Sequence, residues 1–136
     1  MAVNDIPLFA MLRGRMSWLT ERQRVVAENV ANADTPGYAA RDLRAPEDFA
    51  AAMRSQTAGV GLARTRAGHI PMNTAPAPRF ESTRSPDSET TLDGNSVVVE
   101  EQMLKMAESR MAYDAAIGFY QKSLSMIRMA ARPPGR

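Results

Sequence analysis

Apolar residues recur every three or four positions at both ends of this chain and lose that rhythm between them. In residues 5–34 the sequence places Phe9, Leu12, Met16, Leu19, Gln23, Val26, Val30 and Ala33 at alternating intervals of three and four. That is the seam of a heptad helix with one polar member, Gln23. Leu8, Met11 and Val25 widen the stripe, while Arg13, Arg15, Glu21, Arg22, Arg24 and Glu28 stand off it. Asp5 is placed to cap the start, and Pro7 falls in the first turn, where its missing N–H costs nothing. The pattern predicts a helix over residues 6–33, roughly 40 Å long. Thr35-Pro36-Gly37-Tyr38 then ends it. Pro36 drives Thr35 out of the helical region, and Gly37 supplies the positive φ of a type II turn.

The rhythm returns at Val99, Met103, Met106, Arg110, Tyr113, Ile117, Tyr120, Leu124, Ile127 and Ala131, where only Arg110 is polar. Asp93-Gly94 reads as a turn, Asn95 or Ser96 as the N-cap, and Glu100 and Glu101 as acids favoured by the dipole of the first turns. Pro133-Pro134-Gly135 closes this helix, which would run from about residue 95 to 131, roughly 55 Å. Single helices in small domains are typically about a dozen residues long, so a helix of this length implies a partner.

Residues 37–92 are different material. Five prolines, Pro46, Pro71, Pro76, Pro78 and Pro86, are scattered among Gly, Ser and Thr. A short helix over 47–53 and an extended stretch over 60–66 are the only local patterns, and 67–91 reads as a loop that a partner orders. The predicted fold is therefore mainly α: residues 1–36 and 93–136 form long terminal helices that pair as a coiled-coil hairpin around a poorly ordered or extended middle, 37–92. Antiparallel pairing sets Leu12, Met16, Leu19, Val26 and Val30 against Met103, Met106, Tyr113, Ile117, Tyr120, Leu124 and Ile127 as an assembly seam. Leu8, Met11, Val25, Met111, Phe119 and Met126 are left over, and an apolar surplus of that kind marks an interaction surface.

Composition narrows the function classes. The 136 residues include no cysteine, one histidine and ten methionines, with 17 basic against 15 acidic groups. Without Cys there are no disulfides and no thiolate chemistry. His69 alone, with no cluster of carboxylates, supports neither a catalytic triad nor a metal site. Gly59-Val60-Gly61 is too short to cradle a phosphate. Charge is spread evenly along the chain, so nothing marks a nucleic-acid footprint. Met1 to Ala10 lacks the basic and apolar regions of a cleaved signal, and no run approaches the ~18 apolar residues of a membrane span. The residues point to no catalytic group, cofactor, metal, nucleic acid, small-molecule substrate or membrane insertion. The methionines at 103, 106, 111, 126 and 129 read as core or interface filler.

The run Ala27-Glu28-Asn29-Val30-Ala31-Asn32-Ala33-Asp34-Thr35-Pro36-Gly37-Tyr38, directly after a heptad helix, resembles the N-terminal signature of flagellar axial proteins. Ala40-Arg41-Asp42, Thr65 with His69-Ile70, Asp93-Gly94-Asn95 before the last helix, and Met106-Ala107-Glu108 with Tyr113 make it most similar to basal-body rod proteins, the proximal-rod subunits of the FlgB type. Two positions depart from that pattern: Val98 stands where an acid is usual, and Ser109 where Asn is usual. The resemblance implies a structural part that passes through the flagellar export apparatus without cleavage. It would then polymerise with copies of itself and with other rod and basal-body proteins, and transmit torque across the cell envelope. Asn29, Asn32, Asp34, Thr35, Pro36, Gly37 and Tyr38 are its signature residues. For Asn32 helix capping is the simpler role; Asn29 is equally suited to capping or to bonding the turn backbone or a neighbouring subunit. Thr35 to Tyr38 read as a turn that aims the middle segment, with Tyr38 equally suited to an intersubunit anchor. The alternative is a soluble cytoplasmic helical-hairpin adaptor or export chaperone that binds one partner helix.

Overall fold

The computed structural model describes residues 6–45 and 80–131. Its elements are α1 (Pro7–Ala31), β1 (Arg41–Leu43), β2 (Ser82–Arg84) and α2 (Val99–Ala130). The expected cap at Asp5, the short helix over 47–53, the extended stretch over 60–66, His69 and the closing Pro133-Pro134-Gly135 lie outside the described residues.

The two helices pack on each other as an antiparallel hairpin. Phe9 near the start of α1 meets Tyr120 edge-on, with ring centroids 5.1 Å apart. At the other end Asn29 meets Gln102. On α1 the inward face follows the heptad reading: Phe9, Leu12, Leu19 and Val26 are buried, and Met16, Gln23 and Val30 half-buried. Each fully buried side chain of this size contributes about 1.5–3 kcal/mol.

On α2 the inward face is turned by one residue from the expected seam. Its buried residues are Gln102, Ser109, Ala116 and Ser123, seven apart, with Met106, Tyr113, Tyr120 and Ile127 half-buried between them. Met103, placed in the seam by pattern, is 63% exposed, and Arg110 is exposed as well. Ile117 and Leu124 keep a half-buried position at the edge. The physical reason is bulk. The large side chains of α1 need short ones opposite, and Ser109, Ala116 and Ser123 provide them at the line of closest approach. Ser109 settles its hydroxyl by donating to the Lys105 carbonyl of its own helix, 2.8 Å away.

A second face of α1 holds the described flanks of the middle segment. β1 and β2 form a two-stranded antiparallel sheet with Arg41 opposite Arg84 and Leu43 opposite Ser82. Trp18, Leu19, Val25 and Leu43 form a small core, with Phe80, Ala112 and Tyr113 against it. Val25 is therefore buried, at 3% exposure, and not part of the apolar surplus. Trp18 Nε1 donates to the Arg44 carbonyl at 3.1 Å, and Arg22 binds Asp42 through two 2.9 Å hydrogen bonds while lying over the Trp18 ring. The stretch read as loop is thus tied down over residues 80–91.

Candidate assembly site

Two turns meet at the closed end of the hairpin and interlock. The first ends α1. Asn32 is the C-cap; its amide nitrogen Nδ2 donates back to the Glu28 carbonyl at 2.8 Å, and its Oδ1 accepts from the Thr35 hydroxyl. Tyr38 N–H closes on Thr35 O at 3.2 Å, and Gly37 takes φ 71° in this turn. The second turn runs from Thr91 to Asn95, with Gly94 at φ 84° and Gly94 N–H bonded to Thr91 O at 2.9 Å. The Thr91 hydroxyl donates to Asp93 in the same turn.

The turns grip one another through backbone. Gly37 N–H donates to Asp93 O at 2.9 Å, and Ser96 N–H to Tyr38 O at 3.0 Å. A Cβ on Gly94 would stand 3.4 Å from Gly37 Cα, so the two glycines touch as well as bend. Asn95 is 2% exposed, and its Nδ2 reaches the carbonyls of Asn32 at 2.9 Å and Thr35 at 2.7 Å. It therefore satisfies carbonyls that the end of α1 leaves open. Ser96 Oγ accepts from Ala40 N–H at 3.2 Å. Neither residue is the N-cap of α2 expected from sequence. That cap is Val98, whose N–H donates to Asp87 Oδ2 at 2.9 Å. Asn95 Nδ2 and Ser96 Oγ are engaged with residues 32–40, Asn95 Oδ1 accepts from the Val97 N–H at 2.8 Å, and an acid from the middle segment faces the helix start instead.

Beneath the turns lies a buried polar relay. Asn29 is completely buried and uses every bond it can make. Its Nδ2 donates to Arg41 O at 2.7 Å and to Gln102 Oε1 at 2.8 Å. Its Oδ1 accepts from Arg41 N–H at 3.0 Å and from the Tyr38 hydroxyl at 3.2 Å. Gln102 Nε2 donates in turn to Asp87 Oδ2 at 2.7 Å, and Lys105 Nζ to Asp87 Oδ1 at 2.7 Å. Burial acts to raise the Asp87 pKa, but the bonds from Lys105, Gln102 and the Val98 N–H outweigh it and hold the carboxyl below the usual range. Asp42 behaves the same way: burial raises it, while Arg22 and the Leu43 N–H prevail. Burial is the main influence raising the Tyr38 phenol. Among the described residues no buried side-chain polar atom lacks a partner.

The structure therefore brings Asn29, Asn32, Thr35, Gly37 and Tyr38 into one clasp, with Pro36 and Asp34 exposed on its rim. Gln102, Asp87 and Lys105 complete it and were not singled out from sequence, and Ser96 joins them in a role other than the cap expected for it. Gln102 sits one position from the expected seam, and nothing in the Pro-rich run around Asp87 marks it. Glu21 and Glu28 pair with Arg24 on their own helix.

On the outside of α2, Leu104, Met111, Phe119, Met126 and Met129 are 50–67% exposed. At about 100° per residue they fall within roughly 80° of each other and on average about 120° from the buried line, with Phe119 and Met126 flanking it, about 60° from Ala116 and Ser123. They form an apolar stripe roughly 40 Å long. Ile6, Leu8 and Met11 add exposed apolar surface at the start of α1. Among the described residues there is no group of three acids or histidines able to hold a metal, and no helix long and apolar enough to cross a membrane.

A hairpin locked at one end by interlocked turns and apolar along its outer side defines a structural subunit built to pack against others. Residues 11–38 match the family described as flagella basal body rod protein. The chain is similar to the flagellar basal body rod protein FlgB of Aeromonas hydrophila, 30% identical over 132 residues, which cover 97% of this chain and 98% of that one. It is also similar to FlgB of Escherichia coli, 37% identical over 101 residues (71% and 72%), and of Salmonella typhimurium, 33% identical over 100 residues (71% and 72%). The chain belongs to the FlgB family of flagellar basal body rod proteins, and it is a structural subunit of the basal-body rod.

Proposed function

We propose that this chain builds the proximal part of the rod by packing the outer side of its hairpin against copies of itself and other rod subunits, and that the resulting tube carries torque across the cell envelope. The observation that carries this reading is the row of exposed large apolar side chains along α2, Leu104, Met111, Phe119, Met126 and Met129, each at least half exposed. Leu12, Met16, Leu19, Val26 and Val30, with Met106, Tyr113, Ile117, Tyr120, Leu124 and Ile127, hold the hairpin together. Met103 joins Leu104 and Met111 on the side that faces neighbours. The signature residues act within the subunit: the clasp sets the direction in which the chain leaves α1 and lays residues 41–44 back along that helix.

Export without a cleaved signal, through the flagellar export apparatus, fits the same chain. It has no cysteine to cross-link and ten methionines in place of rigid core residues, so it unfolds and refolds without covalent obstacles. Its function is mechanical, with no catalytic step.

Phe119→Asp and Met111→Asp test the packing surface, because each puts a charge on a side chain that is already exposed. In cells lacking the native gene, either variant is expected to accumulate normally, to keep its helical circular-dichroism signal, and to be missing from purified basal bodies, with swimming lost. Normal swimming and normal incorporation of both variants would overturn the reading.

A further inference from the structure

The sheet beside the clasp contains a pairing that works against its own stability. Arg41 and Arg84 stand directly opposite one another on β1 and β2. The neighbouring bonds, Ser85 N–H to Ala40 O at 2.9 Å and Arg44 N–H to Glu81 O at 3.0 Å, make this a non-hydrogen-bonded position of the ladder. Opposed side chains are closest at such positions, and like charges there repel. Both backbone groups of Arg41 are instead held by Asn29. The carboxylates next along the chain offer no relief. Asp42 is engaged by Arg22 and the Leu43 N–H, and Asp87 by Lys105, Gln102 and the Val98 N–H. Among the described residues neither Arg41 nor Arg84 has an ion-pair partner, whereas Arg22 and Arg24 do. Both are exposed, and with Gly37, Tyr38 and Ala39 they line an open depression of about 320 Å³.

We propose that Arg41 and Arg84 form a carboxylate-binding subsite at the clasp, and that its occupant is an acidic side chain from the outer face of α2 in a second copy of this chain. Two guanidinium forks converging on one depression suit a carboxylate, which neutralises the repulsion and accepts from both. The same chain presents such carboxylates. Glu100, Glu108 and Asp114 are exposed on α2 and interleave with Leu104 and Met111 of the apolar stripe. The apolar stripe supplies contact area, and the arginine pair fixes register between copies. This inference rests on the packing reading above.

Charge reversal tests it in cells, with the amount of the chain in purified basal bodies as the readout. Arg41→Glu with Arg84→Glu is expected to lower incorporation at least tenfold. Arg41→Thr with Arg84→Thr separates docking from folding: its thermal midpoint stays at or above that of the parent, because a repulsion is removed, while its incorporation also falls. Adding Glu100→Arg, Glu108→Arg and Asp114→Arg to the reversed pair is expected to restore incorporation. Normal incorporation of the reversed pair overturns the subsite. Failure of the added arginines to restore it overturns the second copy as occupant. Absence of the unmodified chain from basal bodies overturns the packing reading itself, a separate result from either.

Discussion

Replacing Asn29 by Ala should loosen the closed end of the hairpin more than any other single change of similar size. Asn29 is completely buried and serves four partners: the Arg41 N–H and carbonyl, Gln102 Oε1 and the Tyr38 hydroxyl. Gln102 is also completely buried, so its Oε1 would lose its donor with no access to water. An orphaned buried acceptor costs about 1–3 kcal/mol. The two bonds to the Arg41 backbone add about 1 kcal/mol each, and Tyr38 can turn to solvent. The expected loss is about 3–5 kcal/mol, a large fraction of the roughly 5–15 kcal/mol that holds a typical domain. Far-ultraviolet circular dichroism of the purified chain should show a thermal midpoint lower by more than about 10 °C. Gln102→Ala provides the cross-check. Because both changes break the same bond, the double variant should cost less than the sum of the singles by about 1–2 kcal/mol. A loss below about 1 kcal/mol for Asn29→Ala, or strict additivity in the cycle, would refute the buried relay as a load-sharing unit.

Two further outcomes follow from the packing and the charges. Ser109→Leu inserts bulk at the line where the helices are closest, so it should destabilise the hairpin by about 1–3 kcal/mol in urea titration, although Leu is the better residue for a heptad seam; a gain in stability would place the contact line elsewhere. The lowered pKa values of Asp42 and Asp87 mean that the folded chain binds fewer protons than the unfolded chain near the ordinary carboxyl value of about 3.9. Their contribution is therefore present above that value and is lost as pH falls through the lower folded values. The urea midpoint should drop steeply below about pH 4, and Asp87→Asn should flatten that drop; a midpoint unchanged between about pH 5 and pH 3 would contradict it.

The helices were legible because their signals are local. Every seam position named on α1 from Phe9 to Val30 turns inward, and the Pro36-Gly37 stop ends the helix where the chemistry of those two residues requires. On α2 the apolar rhythm pointed one residue away from the true contact line. A pattern that counts apolar residues rewards Met103 and passes over Gln102, Ser109 and Ser123, yet short or hydrogen-bonding side chains are what close approach to a large-residue helix needs. Asn95 and Ser96 have the chemistry of N-caps, but Asn95 Nδ2 and Ser96 Oγ reach residues 32–40, about sixty positions away in sequence, and Asn95 Oδ1 serves the Val97 N–H ahead of the helix instead of capping it. The pairing of β1 with β2 joins two three-residue strands separated by a Pro-rich stretch, and strands that short carry no alternation to read. Asp87 acquires its role only when the fold sets it against Lys105 and Gln102. The signature and Asp93-Gly94-Asn95 were both recognisable as motifs of the resemblance, but nothing local in either marks that Gly94 packs against Gly37 and that Asn95 closes the end of α1.

The central claim, that this chain is an incorporated part of the rod and not a free helical adaptor, is tested most directly by quantitative mass spectrometry of detergent-extracted hook–basal bodies against the cytoplasmic fraction of the same cells. The account predicts peptides from both α1 and α2 enriched with the rod, in fixed proportion to other rod subunits. Recovery of the chain in the cytoplasm alone, with rods that lack it, would contradict the account.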